Sequence, residues 1–351
     1  MTNKPNQLAD YGWSQFFQSQ LSAAELAGTK PARVFAVHRN RLDVVGLDFD
    51  GRVPPIFDAD DDEAHATVGD WLLIDRVSGT PQRVLARKSL FKRKAAGTAK
   101  RVQLIAANVD TLFVVTSCNQ DFNLARLERY LALAREADVT PVIVLTKADL
   151  AEDAHAYVNR AARLMPGLLV ECLDARVPDE AANLKPWCGR GQTVALVGSS
   201  GVGKSTLVNT LTGGDLATKP IREGDAHGRH TTSGRALYPL AAGGLLMDTP
   251  GMRELQLADA DTGIDDVFAD IVALAATCRF SDCGHDSEPG CAVRAALDNG
   301  TLDPARYARY QKLAREDAHN SAALHQRRAR DREFGRMVKR VMKEKTGPRD
   351  L

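Results

Sequence analysis

TVALVGSSGVGKSTLVNTL (193–211) joins an apolar, β-branched run to a helix-forming run through a turn that holds three glycines. TVALV has the length and composition of a buried strand, and STLVNTL continues as a helix. Between them Gly198, Ser199, Ser200, Gly201, Val202, Gly203, Lys204 and Ser205 match G-x-x-x-x-G-K-[ST] at every defined position, with Thr206 following. Glycines let a backbone wrap an anion, so that successive N–H groups and a helix N-terminus face a phosphate. Lys204 is then placed for the β- and γ-phosphates and the Ser205 hydroxyl for Mg²⁺. The motif alone does not separate adenine from guanine.

That separation comes from upstream. Strand-like PVIVL (141–145) runs into Thr146, Lys147, Ala148 and Asp149, which fit the [NT]-K-x-D base motif. The Asp149 carboxylate accepts from N1–H and the exocyclic amine of guanine, whereas adenine would leave it desolvated and unpaired. The Lys147 stem is expected over the base, bracing the phosphate loop, and Thr146 keeps one side-chain hydrogen bond. Leu173-Asp174-Ala175 is the candidate for the companion base loop, a poor match to the usual Ser-Ala.

Downstream, GLLM (244–247) leads into Asp248-Thr249-Pro250-Gly251, a D-x-x-G motif. Asp248 is expected on Mg²⁺ through water, and the Gly251 N–H on the γ-phosphate. Thr231 and Thr232 follow Gly228, Arg229 and His230 in a polar loop, and one of the two threonines is expected to close on Mg²⁺. Met252 stands where many small GTPases carry the glutamine that orients water, so His230 is the candidate catalytic residue. The phosphate loop comes third among five motifs here, behind the base motif. The order is that of a circularly permuted sheet, which close termini permit.

The flanks differ in character. Residues 1–32 are polar and are expected as a mobile extension in which Leu8, Trp13, Phe16 and Phe17 could dock. RVFAVH (33–38), LDVVGL (42–47) and DWLLIDRV (70–77) are short strand patterns divided by turn signals such as Asp50-Gly51. They suggest a small barrel over 33–103, OB-type being one option. Acidic DADDDE (58–63) reads as a solvated loop, and basic RKSLFKRKAAGTAKR (87–101) as a linker. The α/β domain is assigned to 104–265, with NLARLERYLALAREA (123–137) as an amphipathic helix that has Leu124, Leu127, Leu131 and Ala134 on one face and Arg126, Glu128 and Arg129 off it. The rest, 266–351, is helical, and residues 327–345 hold nine Lys/Arg against three Asp/Glu. Cys278, Cys283, His285 and Cys291 offer three thiolates and an imidazole, a closed shell for one structural Zn²⁺. Cys118, Cys172 and Cys188 read as ordinary buried thiols.

The chain has 351 residues, 44% hydrophobic and 26% charged, with a net charge of +1, so no global field draws it to nucleic acid. No run reaches the roughly 18 apolar residues of a membrane span, and the first residues lack the apolar core of a signal peptide. Six cysteines, three of them clustered beside a histidine, point to metal in a reducing compartment, the cytoplasm.

Together, RKS, AANVD (106–110), TKAD, GSSGVGKST, GRHTT, DTPGMREL and CRFSDCGHDSEPGCAV resemble the bacterial RsgA/YjeQ family of ribosome-dependent GTPases. The resemblance covers about residues 33–340. It implies an N-terminal OB-fold, a permuted GTPase domain and a C-terminal zinc domain. It also implies GTP and GDP as ligands, and late maturation of the small (30S) ribosomal subunit, with hydrolysis stimulated by that subunit. The barrel and basic runs suit rRNA phosphates, no membrane partner is expected, and a monomer is expected. The alternatives are a GTPase switch acting on a protein partner, and a P-loop ATPase or kinase for which Asp149 is the wrong residue.

Overall fold

The computed structural model describes residues 7–47, 49–56, 61–94, 102–214, 235–248 and 260–321. Five antiparallel strands come first: β1 (Thr29–Val37), β2 (Leu42–Gly46), β3 (Phe49–Val53), β4 (Trp71–Asp75) and β5 (Pro81–Val84). β1 pairs with β2 and β4, β3 adds to β2, and β5 adds to β4. Alternation along β2 sends Leu42 and Val44 into a core with Ala32, Val34, Val53, Leu72 and Ile74. Among the described residues β3 and β5 are not hydrogen-bonded to each other, so five antiparallel strands stand where the barrel was expected, without closure into one. Asp50-Gly51, expected as a turn, lies inside β3. The hairpin instead closes one step earlier, where Gly46 faces Phe49.

The expected mobile extension contains packed residues. Leu8–Tyr11 and Gln15–Gln18 form short turns, and Ala23–Gly28 a short helix. Phe17 is buried, and the Trp13 and Trp71 rings meet edge-on at 4.8 Å. Aromatic burial outweighs the ordering cost of so polar a segment. Arg33 on β1 then stitches the pieces together. Its buried guanidinium donates to Gly69 O at 3.2 Å, Asn108 O at 3.0 Å and Tyr11 O. Burial pulls its pKa down to about 10 against the opposing pull of Asp110 and Asp70.

One contact in this segment carries a pH prediction. Ser22 caps the helix Ala23–Gly28, accepting from the Glu25 N–H while Glu25 reaches back to the Ser22 N–H at 2.8 Å. Arg83 Nε also donates to Glu25 at 2.7 Å. Those bonds, Arg83 first, hold the Glu25 pKa at about 2 against an ordinary 4.5. A depressed carboxylate contributes stability above its unfolded pKa and loses it as pH falls toward the folded one. A Glu25→Gln chain is therefore expected to melt below the native chain at pH 7, with a gap that narrows below pH 4.5. Thermal unfolding across pH 7 to 3 checks this, and a gap that widens on acidification contradicts it.

Part of the expected basic linker is strand: β6 (Leu90–Lys94) pairs antiparallel with β7 (Val102–Ala107), while 95–101 lie outside the described residues. Of the acidic run, residues 61–63 are described, and Glu63 pairs with Lys92 at 2.8 Å. Asn108 follows β7 with a φ of +56°. Its amide donates to Gly69 O at 3.0 Å and accepts from the Lys88 N–H at 2.9 Å, fixing the entry to the next sheet.

That sheet comprises β8 (Thr111–Ser117), β9 (Thr140–Thr146), β10 (Leu169–Cys172), β11 (Thr193–Val197), β12 (Arg235–Pro239) and β13 (Leu245–Asp248). The order is β10-β9-β8-β11-β13-β12, parallel except for β12. Every residue of β8 is buried, as a central parallel strand requires. β12 also pairs antiparallel with β1, so one sheet runs from β10 through to β3. The helices α1 (Leu124–Glu136), α2 (Ala154–Ala162) and α3 (Lys204–Leu211) accompany these strands.

The C-terminal helices are α4 (Asp261–Val267), α5 (Ala269–Ala275), α6 (Ala292–Asp298) and α7, over 304–321. They lock onto α1. A Cβ at Gly263 would stand 2.1 Å from Ala132 O, so α4 crosses α1 at backbone distance. Glu128, placed by the sequence off the apolar face of α1, is fully buried. Arg309 of α7 donates to it at 2.7 Å and Arg306 at 3.4 Å, the paired state a buried carboxylate requires. Among the described residues no helix is long and apolar enough to cross a membrane.

Candidate nucleotide site and cysteine–histidine cluster

The carboxyl ends of β8, β9 and β11 lie on one side of the sheet, the side where parallel sheets of this kind hold ligands. Gly198 leaves β11 with φ +144°, and a Cβ there would lie 2.1 Å from Val115 O on the neighbouring strand. Gly201 and Gly203 also have positive φ, and Gly203 caps α3 at +93°. The glycines at the first and last of these positions are thus demanded by close approach and by backbone conformation. Lys204 folds back over the loop and donates to Gly198 O at 2.8 Å and to Ser199 O. Ser205 and Thr206 are exposed on the first turn of α3, where hydroxyls and backbone N–H groups face outward.

The base motif lies directly beside this loop. Thr146 ends β9 fully buried, and its hydroxyl donates to Val202 O at 2.6 Å, with Thr116 O at 3.2 Å. The sequence expected Lys147 to brace the phosphate loop, whereas in the structure the Thr146 hydroxyl makes this bond. Lys147 itself turns the chain with φ +57°. Asp149 follows on a short helical turn, Ala148–Leu150. Its carboxylate meets Arg176 Nη2 at 2.8 Å. The loop Leu173-Asp174-Ala175 is also brought here: the Leu173 N–H donates to Leu145 O at 2.9 Å, and Thr210 of α3 donates to Ala175 O at 2.7 Å.

Two arginines at the site were not singled out by the sequence. Arg176 directly follows the weakly matched base loop, which was the available signal. Arg126 lies on the first turn of α1, its backbone N–H donating to the Asn123 side-chain oxygen, and its guanidinium meets Ser199 Oγ. Helical periodicity placed Arg126 off the apolar face but could not say which loop it meets. Asp248 ends β13, next to β11, which brings its backbone to the same side as the phosphate loop. His230, Thr231, Thr232 and Gly251 lie outside the described residues.

The cluster near the C-terminus passes a geometric test for a metal. The ligand atoms of Cys278, Cys283, His285 and Cys291 all lie within 4.8 Å of one another. Tetrahedral zinc, with bonds of about 2.3 Å to sulfur and 2.0 Å to nitrogen, sets S–S edges near 3.8 Å and S–N edges near 3.5 Å. Here Cys278 and Cys291 Sγ are 4.0 Å apart, and His285 Nδ1 lies 3.6 Å and 3.4 Å from them. His285 reaches in from a left-handed residue, φ +60°. The Ala292 N–H donates to Cys278 Sγ and the Arg294 N–H to Cys291 Sγ, each at 3.4 Å, an outer shell that favours thiolate. Elsewhere, Cys118 and Cys188 are buried and Cys172 is half-buried. Burial pushes the Cys188 thiol up to about 12, as expected of an inert core thiol.

A family model described as RsgA GTPase matches residues 84–258. The small ribosomal subunit biogenesis GTPase RsgA of Mesorhizobium japonicum is 55% identical over 318 residues, 90% of this chain and 91% of its own. The small ribosomal subunit biogenesis GTPase RsgA 2 of Vibrio parahaemolyticus is 48% identical over 347 residues, 97% and 94% of the two chains. Among solved structures, YjeQ from Thermotoga maritima superposes with a TM-score of 0.59 at 24% identity, over 81% of this chain and 97% of that one. YloQ, a circularly permuted GTPase, gives 0.57 at 26%, over 81% and 93%. With its base motif ahead of its phosphate loop on one parallel sheet, the chain belongs to the RsgA family of GTPases, permuted enzymes that hydrolyse GTP.

Proposed function

We propose that this chain spends its GTP on the small ribosomal subunit during that particle's late maturation, binding its rRNA and being stimulated by it. The observation that carries the reading is the continuity of the fold around the nucleotide site. The β1–β5 strands join the GTPase sheet through β12, and the cysteine–histidine domain is locked onto α1, whose first turn reaches the phosphate loop. A nucleotide-dependent shift in the switch region therefore acts between two flanking modules. The relatives from Mesorhizobium and Vibrio carry the small subunit in their names. The connectivity of β1–β5, with β1 between β2 and β4, suits an OB-type barrel, a common single-stranded RNA binder. The basic tail 327–345 adds positive charge for phosphates.

At the site, Lys204 neutralises the β- and γ-phosphates while the loop N–H groups of 198–205 hold them. Asp149 reads the guanine donors, with Thr146 tying that reading to the phosphate loop. Ser205, Asp248 and one of Thr231 and Thr232 would hold Mg²⁺, an oxygen set that suits it, and the ion supplies charge neutralisation at the transferring group. His230 orients the attacking water, a task Met252 cannot do. Gly251 senses the γ-phosphate. The four ligands of the cluster hold a structural zinc. The chain acts as a cytoplasmic monomer.

Co-sedimentation with purified small subunits, in a non-hydrolysable GTP analogue and in GDP, tests the partner. Binding is expected in the analogue, and it should weaken steeply as salt rises, the mark of phosphate contacts. Failure to pellet with small subunits in either nucleotide would overturn the assignment.

A further inference from the structure

The loop after β10 departs from the usual Ser-Ala and carries Asp174, Ala175 and Arg176. It thereby places a second carboxylate, Asp174, beside Asp149, and a single guanidinium joins the two. Arg176 Nη2 donates to Asp149 Oδ2 at 2.8 Å and to Asp174 Oδ2 at 2.7 Å. Its Nε donates to Asp174 Oδ1 at 2.9 Å and Oδ2 at 3.2 Å, and its own backbone N–H to Asp174 Oδ1 at 2.9 Å. Asp174 is 13% exposed while Arg176 is 65% exposed, so the carboxylate is the fixed partner and the guanidinium closes over it. The backbone beneath is pinned independently: the Asp174 N–H donates to Glu180 at 2.7 Å, and Ala175 O accepts from Thr210 of the phosphate-loop helix.

A carboxylate that reads guanine must present both oxygens to N1–H and the exocyclic amine. Each oxygen carries two lone pairs, so a donor on one side of Oδ2 leaves the others for the base. We propose that Arg176 is a positioning and specificity-determining residue of the guanine pocket. It sets the plane of the Asp149 carboxylate and offsets the second carboxylate, so that the net charge of one carboxylate, not two, meets the base. A serine at the Asp174 position would need no such counter-ion, which ties the arginine to this chain's own departure at 174. The inference rests on the reading of Asp149 as the guanine acceptor. Without Arg176 the two carboxylates repel, and Asp149 turns from the base edge.

The test is calorimetric binding of GDP, inosine diphosphate and xanthosine diphosphate to the full chain. The variants are Arg176→Ala, Arg176→Ala with Asp174→Ser, and Asp149→Asn. Inosine lacks the 2-amino group, so the ratio of GDP to inosine diphosphate affinity reports how well Asp149 is aimed. Arg176→Ala is expected to weaken GDP by about tenfold or more, the worth of one charge-assisted bond. Inosine diphosphate should weaken less, shrinking the ratio, and Asp174→Ser should recover much of the loss. GDP binding at native strength, or tighter, would overturn the proposal, the latter by making Arg176 a competitor of guanine. An equal loss for both nucleotides, with no recovery, would reduce Arg176 to a loop prop and also overturn it. Asp149→Asn separates the two levels. A switch from GDP to xanthosine diphosphate with Arg176→Ala silent removes only this inference, whereas unchanged GDP binding by Asp149→Asn removes the guanine reading beneath it.

Discussion

A Lys204→Ala chain is expected to lose GTP hydrolysis by at least about a hundredfold in kcat/KM, the scale of removing one charge-stabilising donor from a transferring phosphoryl group. The ammonium lies over the loop, held by Gly198 O and Ser199 O. Preorganised charge in a low-dielectric crevice requires no reorganisation at the moment of transfer. The same variant should melt close to the native chain. Lys204 is half-buried, at the first position of α3 on the surface of the sheet's carboxyl end. Steady-state turnover and thermal unfolding on one preparation separate the two effects. Native turnover by the alanine chain would remove Lys204 from the chemistry.

The second large effect concerns the cysteine–histidine cluster. Between α5 and α6 the chain has only turns and bends, residues 276–290. Cys278, Cys283, His285 and Cys291 converge there, their ligand atoms within 4.8 Å of one another. Structural zinc in such settings supplies folding free energy, about 10 kcal/mol or more in isolated fingers. Cys291→Ser is therefore expected to reduce bound zinc from one per chain to a residual amount. Hydrogen-exchange protection around 276–298 should be lost with it. α7 should hold on longer, because Arg306 and Arg309 anchor it to Glu128 of α1. Metal analysis with exchange mass spectrometry reads both, and full protection in a zinc-free chain would show that thiol packing alone suffices.

The backbone of the phosphate-loop motif was legible because its spacing is local. Gly198, Gly203 and Lys204 sit at fixed spacing, and the structure supplies the reason for the first two: a strand 2.1 Å from any Cβ at Gly198, and a left-handed cap at Gly203. The cysteines were legible for the same reason. What escaped depends on contacts across long stretches of chain. Thr146 and Val202 are 56 residues apart, and nothing in either segment announces that a hydroxyl on one meets a carbonyl on the other. Glu128 read as a solvent-facing residue because its partners are nearly 180 residues away. The strand β3 was hidden by Asp50-Gly51, since a turn-forming pair can sit within a short edge strand when the hairpin closes elsewhere. The N-terminal turns escaped because four aromatic residues among polar ones give little periodicity, and the burial of Tyr11 and Phe17 depends on Trp71.

On the function proposed above, this GTPase answers to the small ribosomal subunit. The rate of GTP hydrolysis by the purified chain, alone, with small subunits and with large subunits, tests it most directly. Turnover is expected to be slow alone, to rise at least about tenfold with small subunits, and to stay slow with large ones, because a partner completes the transition-state surroundings. A rate indifferent to small subunits, or raised equally by both particles, would contradict it.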